Sequence, residues 1–184
     1  MSTKSTQPLR HVALLRAINV GGKNLLPMKA LCALFEAAGC TDVQSYLQSG
    51  NVVFCAPPAL CARLQATLGE AIEAQFGFLP PIVLRTREEL RDAVARNPFL
   101  AENAATETLH LAFLESVPTP QRAATLDPKR SPPDAFALLG RDLYLSLPSG
   151  VGKTKLTNAY LDRTLGTTST LRGWRTVLAL RDLL

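Results

Sequence analysis

The sequence predicts an α+β fold of two ferredoxin-like (βαββαβ-type) subdomains, each an antiparallel sheet with its helices on one face. Short apolar runs alternate with stretches in which apolar residues recur every three or four positions. Their order reads β-α-β-β-α-β and then, more weakly, β-α-β-β-α-α, around a polar segment at 97–108. We therefore expect subdomains at 1–97 and 108–184, with a polar tail at 1–9.

The first strand and helix are separated by a glycine-containing loop. The apolar run "HVALLRAI" at 11–18 has strand length, and "NVGGKN" at 19–24 follows it. Pro27 suits the first turn of a helix, because its missing N–H would be unpaired there in any case. Apolar residues at helical spacing continue this helix as far as Gly39.

A hairpin, a long helix and a further strand complete the first half. Strands at 43–47 and 52–54 flank "QSGN", in which Gly50 supplies the positive φ of the turn. Leucines at a spacing of four predict a helix at 59–76. The remaining predicted elements are a strand at 81–85 and a helix opened by the capping box "TREE" at 86–89.

The second half repeats this order with weaker signals. Thr119 and Pro120 are typical of a helix start, and Gly140 separates two short strands as a hairpin turn. The other predicted elements are a strand at 109–115, a helix at 119–126, a helix from Leu156 to Leu165 and a last helix at 174–184. No residue-level repeat is visible between the halves, so a duplication rests on element order alone.

Composition excludes several classes of protein. Apolar residues make up 47% and charged residues 19% of 184, as in an ordinary globular protein. No apolar run reaches the roughly 18 residues of a membrane span, and no export signal is recognisable. The four cysteines form no C-x-x-C pair, so we expect reduced thiols in a cytoplasmic protein and no metal site. We expect no cofactor either.

The charge is uneven along the chain. Residues 141–184 hold seven Lys and Arg against three Asp and Glu, while the preceding residues are nearly balanced. A basic end favours anionic partners, either a phosphate-bearing small molecule or nucleic acid. A solvated basic surface without a partner explains the same charge.

The stretch "LPSGVGKTKL" at 147–156 is reminiscent of the phosphate loop of nucleotide hydrolases. That loop needs G-x-x-x-x-G-K-[ST], and Leu147 stands where the first glycine is required. Pro148 also removes a backbone N–H from a loop that must point N–H groups at phosphate. We therefore reject a nucleotide hydrolase. A weaker hypothesis keeps Gly150 and Gly152 as the start of a helix whose N-terminus, beside Lys153 and Lys155, attracts an anion.

Four motifs in order resemble the bacterial family known as domain of unknown function 1697. They are "ALLRAINVGGKNLLPMKAL", "YLQSGNVVF", "GVGKTKL" and "TLRGWRTVLAL". The resemblance implies two ferredoxin-like subdomains in a small, cytoplasmic, cofactor-free protein, and no activity is assigned to the family. Where the family usually has Arg-Asn-Trp, this chain has Arg172-Gly173-Trp174, so it lacks that amide side chain.

The loops predict a non-catalytic module that binds an anionic ligand. We expect the loops 19–24, 48–51 and 149–155 to converge on one basic hollow. The candidate ligand-binding residues are Arg16, Asn19, Gly21, Gly22, Lys23, Asn24, Ser49, Asn51, Gly152, Lys153, Lys155 and Arg172.

Two alternatives stay open. The first is an enzyme of unknown class that works in the groove between the subdomains with Arg16, Asn19 and Lys23. The second is a protein–protein interaction module that uses an exposed sheet edge. The sequence does not indicate the catalytic residues or the oligomeric state.

Overall fold

The computed structural model describes residues 8–101 and 105–184. Most of the predicted polar tail and part of the predicted linker at 97–108 therefore lie outside the described residues. The chain divides into two compact units. The first unit runs to Leu90 and includes Leu183 and Leu184, and the second comprises Arg91–Asp182.

The first unit has the predicted element order. Its strands and helices are β1 (Leu9–Leu15), α1 (Met28–Ala37), β2 (Thr41–Tyr46), β3 (Asn51–Ala56), α2 (Pro58–Phe76), β4 (Ile82–Thr86) and α3 (Arg87–Ala95), which crosses the division. All strand pairs are antiparallel, in the order β2-β3-β1-β4. Its core joins Ala13 and Leu15 of β1 to Leu31 of α1 and Leu64 of α2, so both helices cover the same face of the sheet.

The second unit repeats this arrangement. Its strands and helices are β5 (Leu109–Leu114), α4 (Pro120–Ala123), β6 (Ala135–Leu139), β7 (Asp142–Ser146), α5 (Asn158–Leu165), β8 (Ser169–Gly173) and α6 (Trp174–Leu183). Short 3-10 turns lie at Pro98–Leu100 and Thr106–Thr108. The antiparallel order β6-β7-β5-β8 is equivalent to that of the first sheet. The predicted fold class, two ferredoxin-like subdomains, is confirmed.

Strand β8 corrects the predicted element order of the second half. The sequence predicts two consecutive helices there, whereas residues 169–173 form a strand that pairs with β5. The segment contains one large apolar residue, Leu171, so it has no hydrophobic alternation to reveal it. The threonines at 167, 168 and 170 favour extended backbone, because branching at Cβ restricts χ1.

Helix boundaries in the second half also differ from the prediction. Helix α4 is a single turn, capped by Thr119, whose side chain accepts from the amide of Arg122. Helix α5 begins at Asn158 rather than at Leu156, because Thr157 accepts from the amide of Tyr160 and caps it. The capping box of α3 is confirmed, since Thr86 and Glu89 exchange backbone-to-side-chain bonds of 2.8 and 3.1 Å.

Strand register reveals a correspondence that the sequence alone does not. His11 lies opposite Thr86 and Val12 opposite Arg85, as His110 lies opposite Gly173 and Leu111 opposite Arg172. "HVALL" of β1 therefore corresponds to "HLAFL" of β5, and "LR" of β4 to "LR" of β8. In both histidines Nδ1 donates to the carbonyl two residues earlier, at 2.7 and 3.1 Å. The two units thus match residue by residue at a few buried positions.

Candidate functional site

Asn19 joins the two candidate loops of the first unit. Its side-chain amide donates to the carbonyls of Leu26 and Gln48, at 2.9 and 3.0 Å. Its side-chain oxygen accepts from the amide of Leu26 at 2.8 Å. The loop after β1 and the β2–β3 hairpin therefore contact each other, as the prediction for this unit requires.

The same loops contain several residues in the left-handed region. Asn19 and Asn24 have φ of +54° and +50°. The side-chain amide of Asn24 donates a hydrogen bond to the carbonyl of Ala17 at 2.9 Å. Ala17 and Leu47 both have φ of +59°, which is costly for a residue with a Cβ atom. Such strain persists only where surrounding contacts enforce it, and it concentrates at functional loops.

Lys23 closes a tight turn at residues 20–23, which we call the first Gly–Lys turn. The amide of Lys23 donates to the carbonyl of Val20 at 3.1 Å, and Gly21 and Gly22 between them have φ of +59° and +74°. Within the described part of the chain, the amides of these two glycines make no hydrogen bond. The turn therefore presents two N–H groups beside an exposed lysine.

Three other predicted residues of the first unit have internal contacts. Asn51 is fully buried, and its amide donates to the carbonyl of Tyr46 and to the hydroxyl of Ser49, at 2.9 and 3.0 Å. Its side chain therefore holds the hairpin together. Ser49 is exposed beside it, and Arg16 is half-buried, with its amide bonded to the carbonyl of Pro81.

Residues 150–153 form a similar turn in the second unit, after β7, which we call the second Gly–Lys turn. The amide of Lys153 donates to the carbonyl of Gly150 at 3.1 Å, the same distance as in the first turn. The amides of Val151 and Gly152 make no hydrogen bond among the residues that the structure describes. A Cβ atom on Gly152 would meet nothing within 4 Å, so the turn is open on its outer side.

The second Gly–Lys turn does not open a helix, contrary to the prediction. Helix α5 begins five residues after Lys153, and Thr157 caps it. Thr154 is buried, and its hydroxyl accepts from the amide of Leu156 at 3.0 Å. The sheet beside it is antiparallel, whereas phosphate-loop hydrolases need parallel βαβ units. A helix dipole is therefore no part of this turn.

Arg172 lies inside the second unit. It is 8% exposed, and its guanidinium donates to the Thr170 hydroxyl and to the carbonyl of Leu171, at 2.8 and 2.9 Å. Burial lowers the pKa of Arg172 to about 10. Arg85, its counterpart in the first unit, is 2% exposed and bonds the carbonyl of Leu84 in the same way. The equivalence indicates a structural role for both arginines.

A cysteine–histidine contact in the first unit is absent from the sequence prediction. Sγ of Cys61 lies 3.5 Å from Nε2 of His11, although the two residues are 50 positions apart. Because Nδ1 of His11 donates to the carbonyl of Leu9, Nε2 is the accepting nitrogen. Burial lowers the pKa of His11 from 6.5 and raises the pKa of the Cys61 thiol. Both shifts favour uncharged groups, so this contact does not generate a thiolate nucleophile.

Most of the chain matches a known protein family. Residues 9–144 match the family described as "Protein of unknown function (DUF1697)". The chain belongs to this family. Curated proteins give no match to it.

The fold of this DUF1697 protein is similar to that of a solved structure. The conserved bacterial protein SP0830 from Streptococcus pneumoniae shares 22% identity, over 95% of this chain and 98% of that chain, with a TM-score of 0.74. At this identity the likeness shows the fold alone. Two of the four motifs that carry the family resemblance lie within the matched residues.

An open cavity of about 190 Å³ lies beside Gly173 of this DUF1697 protein. Gly173, which stands where the family usually has asparagine, directly precedes α6. Thr86 directly precedes α3 in the same way in the first unit. Glu107 and Arg175 form an ion pair at the cavity and are both exposed, at 62% and 74%. The lining residues are Thr106, Glu107, Gly173, Trp174, Arg175 and Thr176.

The described residues show neither a metal site nor a membrane span. No group of three or more His, Cys, Asp or Glu side chains within 8–101 and 105–184 is placed to hold a metal ion. All four cysteines are free; Cys40 is buried and the other three are half-buried. No helix in the same ranges combines the length and the apolar character that crossing a bilayer requires.

Proposed function

We propose that this DUF1697 protein is a non-catalytic module that binds an anionic ligand through its glycine-, lysine- and asparagine-containing loops. One observation carries the proposal. Each unit contains a Gly–Lys turn in which an exposed lysine follows two residues whose amides have no partner among the described residues. Consecutive N–H groups in a turn form a concavity that attracts anions.

The loops that bear these turns are held in place before any ligand binds. The side chain of Asn19 makes two hydrogen bonds to Leu26 of its own loop and one to Gln48 of the hairpin. The hydroxyl of Ser131 fixes the segment after the second turn by accepting from the amide of Lys155 at 2.9 Å. Preorganised loops lose little conformational entropy on binding, so even a weak anion contact contributes to affinity.

The ligand class is a phosphate-bearing molecule. Backbone N–H groups and lysine ammonium groups both donate hydrogen bonds to phosphate oxygens, and lysine adds a full charge. Of the predicted residues, the proposal uses the two turns with Lys23, Lys153 and Lys155, while Asn19, Asn24 and Asn51 hold the loops. Arg172 is excluded as a direct contact because it is buried.

The test is calorimetric titration with inorganic triphosphate at low ionic strength. The parent protein should bind, and affinity should fall steeply as salt is added. Lys23→Ala/Lys153→Ala should abolish binding, because each turn loses its only full charge. Lys29→Ala/Arg63→Ala removes two exposed cations from α1 and α2 of the first unit and serves as the matched control.

The outcomes separate cleanly. Absence of binding in the parent, or equal loss in the control, refutes the proposal. The two single variants show whether one turn suffices, because each lies in a different unit. A crystal soaked in sulfate should hold an ion at the amides of one or both turns.

A protein–protein interaction module is the second candidate function. Three large apolar side chains of the joined loops in the first unit are well exposed, Val20 and Leu25 at 65% and 64% and Leu47 at 54%. Exposed apolar side chains that cluster are typical of interaction surfaces. Sedimentation over a range of concentrations tests self-association, and Val20→Ser/Leu47→Ser should abolish any oligomer that forms.

A further inference from the structure

Ser131 fastens two basic loops of the second unit to each other. Its hydroxyl donates to Oδ2 of Asp134 at 2.7 Å and accepts from the amide of Lys155 at 2.9 Å. It also lies 3.5 Å from the hydroxyl of Thr154. Ser131 and Thr154 are both buried. Because Ser131 belongs to the loop after α4 and Lys155 to the loop after β7, their hydrogen bond joins the two loops into one surface.

Four exposed cations lie on these two loops. Lys153 and Lys155 belong to the second Gly–Lys turn and its continuation, and Lys129 and Arg130 directly precede Ser131. Lys129 and Lys153 are 24 positions apart in the sequence, so only the folded chain connects their two loops. We call Lys129, Arg130, Lys153 and Lys155 the basic junction.

The nearby carboxylates are engaged within the loops. Oδ1 of Asp127 accepts from the amide of Lys129 at 2.8 Å, and Asp134 accepts from Ser131. Asp127 is exposed and Asp134 is almost entirely buried. The four cations outnumber these two carboxylates, so the basic junction attracts polyanions.

An aromatic ring lies under one of the four cations. The guanidinium carbon of Arg130 is 4.7 Å from the centroid of the Tyr160 ring. The hydroxyl of Tyr160 accepts from the amide of Asp127 at 3.3 Å, which ties the ring to the same loop. A guanidinium that lies over an aromatic ring can stack a nucleobase on its other side.

We infer that the basic junction binds single-stranded nucleic acid, with phosphates at Lys129, Lys153 and Lys155 and a base stacked on Arg130. This inference rests on the proposed function and names its ligand class. A single strand fits because it presents repeated phosphates to cations on two loops and unpaired bases to the stacking platform. A duplex hides its base faces, and a free phosphate has none.

The experiment measures fluorescence anisotropy of labelled single-stranded RNA and DNA of about 12 nucleotides, within the usual range of site sizes. Lys129→Ala/Lys153→Ala should weaken binding about tenfold and make the dependence of log affinity on log salt shallower by about 1.4, the value for two lost phosphate contacts. Arg130→Ala should weaken binding about fivefold or more through lost stacking. Lys29→Ala/Arg63→Ala is again the control of equal charge, and thermal melting confirms that each variant is folded.

Each result decides the matter. Equal weakening in the control shows unspecific charge attraction and overturns the inference, as does equal affinity for duplex of the same sequence. Triphosphate binding without oligonucleotide binding overturns this inference but leaves the proposed function standing. Absence of both kinds of binding removes both. Loss with Lys129→Ala/Lys153→Ala and with Arg130→Ala, but not in the control, supports it.

Discussion

In the first unit the loops with candidate residues lie at the carboxyl end of the first strand. The loop 16–27 follows β1 there, and the β2–β3 hairpin contacts it because the amide of Leu15 bonds the carbonyl of Gly50. In the second unit the corresponding connections are short, and the hairpin consists of Gly140 and Arg141. The long loops lie at the other end of that sheet, where the start of β6 pairs with the end of β7.

The two units share their sheet topology but differ in which of their loops are long. The positions that match between the units are buried strand residues, whose packing and pairing tolerate few alternatives. The Gly–Lys turns, which share a composition and a closing bond of 3.1 Å, arise in loops at non-equivalent positions. The proposed anion binding therefore depends on loop sequence rather than on the internal symmetry of the fold.

The largest expected difference between the units concerns their hairpin glycines. A Cβ atom at Gly50 would lie 2.8 Å from Cβ of Leu15 and 2.9 Å from Cδ1 of Ile18, whereas one at Gly140 would meet nothing within 4 Å. Both glycines have positive φ. We expect Gly50→Ala to cost about 2–5 kcal/mol of unfolding free energy in urea and Gly140→Ala about 1–2 kcal/mol. Equal losses would show that the first hairpin relaxes freely.

Asn19 and Ser131, whose side chains hold the loops of the two units, should differ less in their contribution to stability. Asn19→Ala removes three hydrogen bonds and should cost about 2–3 kcal/mol, while Ser131→Ala should cost about 1–2 kcal/mol. Urea unfolding measures both losses, and limited proteolysis locates the loosened loop. Gln48→Ala is the control for Asn19, because only the backbone carbonyl of Gln48 accepts the bond. A loss as large as that of Asn19→Ala in this control would contradict the assignment.

His11 should make stability depend on pH. Its pKa in the folded protein is lowered by burial, against the opposing effects of the Leu9 carbonyl, Glu89 and Glu88. The unfolded state therefore binds the proton first, and stability falls as the pH drops below 6.5 and through the lower folded pKa. His11→Gln should reduce the loss of stability between about pH 7 and 5, because the titrating group is removed. An unchanged pH profile by urea unfolding would show that His11 does not titrate on unfolding.

The smallest expected effect concerns the starts of the equivalent helices α3 and α6. Thr86→Ala should cost about 1 kcal/mol because it removes the capping box of α3. Gly173→Asn, which restores the usual family residue before α6, should stabilise by a few tenths of a kcal/mol. A Cβ atom at Gly173 meets only Nε2 of His110, at 3.9 Å, so the side chain fits. A lower melting temperature of Gly173→Asn would mean that Gly173 is needed for its backbone conformation.

Much of the fold was predictable because local signals agreed with one another. Leucines at a spacing of four in α2, the capping box at Thr86 and the turn glycine at Gly50 each specify an element through local physics. Strand β8 was missed because its burial comes from pairing with β5 rather than from its own hydrophobicity. The predicted start of α5 is two residues too early, because Leu156 continues the apolar spacing of the helix although Thr157 caps it.

The candidate site was predictable only in part. Glycine-lysine stretches are visible in sequence, and both form exposed turns. The burial of Asn51 and Arg172, the contact of Cys61 with His11 and the hydrogen bond between Ser131 and the amide of Lys155 are not visible, because each depends on how separate segments of the chain pack together.

By itself the sequence determined the family, the two-subdomain α+β class and the order of most elements, since these depend on spacing and on local backbone preference. Tertiary structure alone decided which polar residues reach the surface and which hold the frame together. The reason is physical. Burial and hydrogen-bond partners are properties of the packed chain, and strand pairing brings together residues that no local pattern connects.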